Sequence, residues 1–141
     1  MRVILSREAL LCVKKSEIPD SIDIYDDEDE WKSWKRMGDP VLHIELRKWG
    51  DVFLLFPTSA NYIAKIHASL SDDLVTCVCK AWPAERKPLI LFPSVHPYIS
   101  RNKLHSLQLE TLESTQKLKI IESHNSEEVV HDILLILQQF S

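Results

Sequence analysis

The stretch "DVFLLFPTSANYIAKIHASL", residues 51–70, decides the fold. Its first part (51–57) is a continuous apolar run closed by proline, the pattern of a strand buried on both faces of a parallel sheet. Its second part (58–70) sets Ile63, Ile66 and Leu70 along one side of a helix, with Thr58 or Ser59 as the cap. A buried strand that runs straight into a capped helix is the repeating unit of α/β sheets.

The same alternation continues outward. Upstream, "RVIL" (2–5) reads as a short buried strand and "SREALLCVKK" (6–15) as a helix capped by Ser6. "DSIDIY" (20–25) alternates polar and apolar, as a half-buried edge strand does. "PVLHIELRKW" (40–49) has Pro40 in a first turn and Leu42, Leu46 and Trp49 at helical spacing. Downstream, "SDDLVTCVCKAW" (71–82) predicts a helix capped by Ser71 or Asp72, and "PLILFP" (88–93) a second buried strand closed by proline. "LKII" (118–121) is a third apolar run, and "SEEVVHDILLILQQF" (126–140) an amphipathic helix capped by Ser126. Together these predict one three-layer α/β domain over 1–141 with a mostly parallel sheet. Ligands in such sheets sit beyond the carboxyl ends of the strands. "PTSAN" (57–61) and "PSVHPYIS" (93–100) therefore fall at the ligand-facing edge.

Composition narrows the function. The 141 residues are 45% hydrophobic and 27% charged, within the ordinary range of a soluble domain with one core. The longest apolar runs fall far short of a membrane span, and the N-terminus lacks the layout of a signal peptide. A formal charge of −4 gives no basic footprint for nucleic acid. Cys12, Cys77 and Cys79 have neither metal spacing nor an even count, so a reducing cytosol is the simplest setting. Only two glycines are present, Gly38 and Gly50, so no phosphate-cradling glycine loop can be written within the chain.

Several residues are candidates for chemistry. His43 lies among apolar neighbours; such a histidine is more often structural than catalytic, but its titration range suits acid–base work. The "PTSAN" turn offers backbone N–H groups and the Thr58 and Ser59 hydroxyls to an anion, or is simply a capped helix start. His96 stands in a proline-rich loop at the same edge. His67, His105, His124 and His131 read as surface residues, and Cys77 and Cys79 as small buried apolar ones. The five acids of "DDEDE" (26–30) precede the basic "WKSWKRM", which suits the start of a charged surface helix; an acidic docking patch is the other reading.

In combination these segments resemble a known family. "DPVLHIELRKWGD" resembles the catalytic-histidine motif of phosphopantothenoylcysteine decarboxylases, members of the homo-oligomeric flavin-containing cysteine decarboxylases. "PTSANY" is similar to their P-x-S-A-N-T flavin motif, and "SDDLVTCVCKAW" to their D-N-L-L-T-C-V-x-R-A-W segment. The resemblance runs from about residue 2 to about residue 100. It implies a flavodoxin- or Rossmann-like fold, FMN as cofactor and decarboxylation in coenzyme A synthesis. It implies His43 as acid/base, Ser59, Ala60 and Asn61 lining the flavin, and Ser6 and Arg7 near its phosphate side. Family active sites form between subunits, so a homo-trimer, or a hetero-trimer with another family member, is the expected assembly.

Three departures accompany the resemblance. The chain starts at what looks like the family's second strand, without the glycine/serine loop. In the family's P-A-M-N-T-x-M-W segment, His96 stands where the substrate-carboxylate asparagine would be, and Ile99 replaces the methionine. Residues 101–141 contain neither glycine nor cysteine, so the cysteine-bearing flap has no counterpart. The departures predict impaired activity for the chain alone. They also leave room for a non-catalytic subunit of a hetero-trimer, or a regulator similar to the related inhibitors of protein phosphatases.

Overall fold

The computed structural model describes residues 1–116, 118–121 and 126–139. In chain order the elements are β1 (Arg2–Ile4), α1 (Ala9–Cys12), a 3-10 turn (Lys15–Glu17), β2 (Asp23–Tyr25), α2 (Asp27–Ser33) and α3 (Leu42–Trp49). There follow β3 (Phe53–Thr58), α4 (Ala60–His67), α5 (Leu74–Ala81), β4 (Leu89–Pro93), α6 (Pro97–Ser100), α7 (Lys103–Gln116), β5 (Lys119–Ile120) and α8 (Ser126–Gln138). Every strand pairing is parallel, as the α/β reading predicts. The pairings fall into a two-stranded sheet, β1–β2, and a three-stranded sheet in the order β3–β4–β5. The chain forms two compact units, residues 1–49 with 70–81, and residues 50–69 with 82–141.

In the first unit β1 and β2 pair in register, Val3 opposite Ile24, and α3 packs on both α2 and α5. The helix expected over 6–15 closes after one turn. Ser6 does cap it, its Oγ accepting the Ala9 N–H at 3.1 Å, but Val13 turns extended and the 3-10 turn follows. The cap of α5 is Asp73 rather than Ser71 or Asp72. Its carboxylate accepts the Thr76 N–H at 2.8 Å while its own N–H reaches the Thr76 hydroxyl, a reciprocal box that Thr76 makes possible. Ahead of α3, Gly38 adopts φ of 100°, a backbone state that favours glycine, and Asp39 accepts the N–H groups of Lys35 and Arg36. The turn so formed ends just before Pro40, and the Val41 carbonyl accepts the first helical N–H bonds.

The acidic run is the framework of this unit. Asp26 is buried and caps α2, accepting N–H bonds from Glu28 and Asp29, while the Asp29 carboxylate accepts the Asp26 N–H. Asp27 accepts the N–H of Leu74 at 2.8 Å, fixing the start of α5, and pairs with Arg7 at 3.6 Å. The charged helix start predicted from sequence is therefore present, with most of its acids turned inward. The Lys15 ammonium holds the Asp26 carboxyl below its usual range against the opposing effect of burial, and the Glu28 N–H adds to the effect. A carboxyl depressed in the folded state contributes stability above its unfolded value and loses it as pH falls through the folded one. Asp26→Ala is expected to destabilise the protein by about 2 kcal/mol near neutral pH, mostly through the lost cap because Lys15 is half-exposed. Urea unfolding of both proteins should show that difference shrinking as the pH is lowered through the carboxylate range.

In the second unit β4 lies between its two neighbours, and Leu89, Ile90, Leu91 and Phe92 are all buried, as its continuous apolar run predicts. Ile90, Phe92 and Ile121 form a cluster against which Val129, Ile133 and Ile136 of α8 pack. β3 departs from expectation. Leu55 is buried, but Leu54 and Phe56, on the opposite face, are 41% and 68% exposed. β3 is the outermost strand of its sheet, so its apolar run is not held between two neighbouring strands as that of β4 is. In α4, Ile63 and Ile66 are buried on the side that faces α7. Leu70 does not join them, since the helix ends at His67 and Ser69 takes a left-handed φ of 56°.

Candidate functional site

His43 is the second residue of α3, and its Nδ1 lies 2.5 Å from Oε1 of Glu30 on α2. Both side chains are largely shielded, 24% and 15% exposed, so water competes poorly for the contact. Glu30 Oε2 is buried with no hydrogen-bond partner among the described residues. Among the described residues, the imidazole is thus the hydrogen-bonding group offered to the Glu30 carboxylate. Arg7 meets Asp27, one helical turn before Glu30, so α2 holds Arg7 and His43 through acids at i and i+3. Glu30 was not singled out by sequence, because the acidic run satisfied the macrodipole pattern as a whole. The i, i+3 spacing of Asp27 and Glu30, which puts both on one helical face, was the signal available.

Cys77 and Cys79, on α5 in the same unit, are half-buried rather than fully so. Desolvation raises the Cys77 thiol, and the Glu30 carboxylate raises it further. Burial of the sulfur drives the Cys79 thiol strongly upward, so neither cysteine is an activated nucleophile.

The "PTSAN" turn and the "PSVHPYIS" segment leave the same end of adjacent strands, as expected. Thr58 is the register partner of Pro93, and the Ser94 N–H donates to the Thr58 carbonyl at 2.9 Å. The Thr58 side chain, open from sequence to an anion or to a simple helix cap, is consumed by the fold. It is 1% exposed, its Oγ1 donating to the Leu55 carbonyl and accepting the Phe92 N–H, which satisfies both strands where their register shifts. Ser59 is the cap of α4, accepting the Tyr62 N–H, while Ala60 opens the helix and Asn61 is exposed in its first turn.

An open pocket of about 880 Å³ lies beyond these strand ends, walled by Phe56, Pro57, Phe92, Pro93 and Ser94 on one side and by His105 of α7 on the other. His105 was expected at the surface; at 6% exposure it is a buried lining residue, because α7 turns that face toward the strand ends. His67 and His131 are exposed as predicted, and His124 lies outside the described residues. His96 caps α6, its Nδ1 accepting the Tyr98 N–H at 3.3 Å, and its ring stacks on Tyr98 at a 5.3 Å centroid separation. A neutral His96 ring in that arrangement carries its proton on Nε2.

Parallel strands, a capped helix at the strand ends and a lined pocket beyond them define a flavodoxin-like or Rossmann-like α/β protein. The chain belongs to the Flavoprotein family, whose profile matches residues 1–136. Among curated relatives it is similar to the phosphopantothenoylcysteine decarboxylase of Oryza sativa subsp. japonica, 41% identical over 112 residues, covering 79% of this chain and 50% of that protein. Among solved structures it is similar to the FMN binding protein AtHal3, with a TM-score of 0.81 and 38% identity over 85% of this chain and 64% of that one. A mutant PPC decarboxylase complexed with pantothenoylaminoethenethiol matches 98% of this chain and 82% of its own, with a TM-score of 0.86 and 30% identity. The chain is thus phosphopantothenoylcysteine decarboxylase-like, and it spans about half the length of the curated relatives it matches, 50% and 56% for the first two.

Proposed function

We propose that this chain binds FMN and serves the decarboxylation of 4'-phosphopantothenoylcysteine in coenzyme A synthesis, in the cytoplasm. The observation that carries the reading is His43, held by Glu30 within the stretch that matches the family's catalytic motif. Residues 1–141 are read as one flavoprotein-like domain, supported by structural matches that run along nearly the whole chain.

The pocket residues fit a flavin. Phe56, Pro57 and Phe92 give an apolar wall, with the two rings edge to face, and Ser94 a polar edge, which suits a largely apolar ring system with a polar rim. Ser59, Ala60 and Asn61 would line the ring, and Ser6 and Arg7 would serve its phosphate. FMN, when bound, supplies a reversible two-electron acceptor for the cysteine end of the substrate. His43 supplies the proton traffic: with Nδ1 committed to Glu30, Nε2 is the atom that gives or takes a proton. The net reaction releases carbon dioxide and places one proton on carbon. His96 would present Nε2–H to the substrate carboxylate at the position where relatives carry asparagine.

The chain is proposed to work within a trimer, a homo-trimer or a hetero-trimer with a family member, and to be impaired alone. That substitution at His96 favours a second reading, a non-catalytic subunit or phosphatase-regulatory protein that keeps the fold. Titration with FMN, followed by flavin absorbance and fluorescence, separates the two. Saturable binding that is weakened by Ser59→Trp is expected. Absence of binding by the chain alone and after mixing with a full-length relative would overturn the FMN reading.

A further inference from the structure

We infer that Glu30 is the positioning residue for His43, fixing its neutral ring as the Nδ1-protonated tautomer so that Nε2 is the proton-exchanging atom. The inference about the ring rests on geometry alone; its meaning for catalysis rests on the proposed decarboxylase reading. A carboxylate accepts hydrogen bonds only, so a neutral imidazole 2.5 Å from Glu30 Oε1 must turn an N–H toward it. The bond fixes both the tautomer and the ring plane.

Three further observations favour a dedicated partner over a chance surface pair. Glu30 is shielded, and its second oxygen has no hydrogen-bond partner among the described residues, so the imidazole is the group its carboxylate meets. The start of its helix is pinned twice, by the Asp26–Asp29 box and by the Leu74 N–H bond to Asp27. His43 sits in the first turn of α3, which packs on α2 and α5, so the backbones that carry both side chains are held by packed helices. When His43 takes up a proton at Nε2, the same carboxylate stabilises the resulting imidazolium, as an orienting acid does for a catalytic histidine in other enzymes.

The test is the tautomer itself, read by long-range proton–nitrogen correlation NMR of the histidine rings in the full chain. His43→Asn assigns the signal. At a pH where the ring is neutral, wild type is expected to show a protonated Nδ1 and a bare, acceptor-type Nε2. Glu30→Ala should move the proton toward Nε2, and Glu30→Asp should retain part of the wild-type pattern. A wild-type ring protonated on Nε2, or a tautomer indifferent to Glu30, overturns the inference, and the wild-type spectrum decides even if a variant fails to fold. None of these spectra needs flavin, so a failed decarboxylase reading would leave the result standing. In a trimer that does decarboxylate, Glu30→Gln is expected to lower kcat by about 10–100-fold, with KM and the flavin spectrum unchanged.

Discussion

Replacing His43 with asparagine is expected to lower flavin-dependent decarboxylation by about two to four powers of ten. Asparagine is chosen because its amide N–H can still face Glu30. Alanine would leave a shielded carboxylate without its partner and mix a stability loss into the result. The assay is a trimer assembled from this chain and a full-length relative whose own matching histidine has been removed, so that only His43 can serve. Flavin absorbance and urea stability should change little, since the substitution removes the proton carrier and not the fold. Activity that survives would take His43 out of the chemistry and leave it as a structural partner of α2.

Ile90→Ala should be the most damaging substitution to the fold, at about 4 kcal/mol. The side chain is 0% exposed on the central strand of its sheet, and it sits in the cluster that receives Val129, Ile133 and Ile136. Removing it leaves a cavity that β3 and β5 cannot close, because both are tied to β4 by backbone bonds. A loss of that size is a large part of the total stability of a domain this small. Unfolding free energies of Ile90→Ala and the milder Ile90→Val from urea titration, expected to differ by about 3 kcal/mol, provide the check. Near-equal values would mean that the α8 cluster contributes little to the cooperative unit.

Sequence was most informative where a local rule has one solution. The apolar run 88–93 reads as a buried strand and is one, and Ile63 with Ile66 read as the inner face of a helix and are buried there. It was least informative where a residue has several acceptable partners. Thr58 reads as an anion ligand or a helix cap, and only the position of β4 makes it a strand-to-strand bridge instead. Asp73 and Asp72 are equivalent as caps until Thr76 is seen to answer one of them. β3 looked doubly buried because its composition matches that of β4, yet burial depends on which neighbours a strand finds. His105 lacked any sequence signal, since its burial comes from the direction in which α7 presents it.

By itself the sequence determined the α/β class, the parallel pairing, the family and the position of His43. These follow from periodicity, turn chemistry and short motifs, all of which are local along the chain. What only the tertiary structure decided is what His43 is bonded to. Glu30 lies thirteen positions away, inside a run of acids that any helix N-terminus would accept. The choice among those acids is made by packing: the Asp26 cap sets the phase of α2, and that phase turns Asp27 toward α5 and Glu30 toward α3.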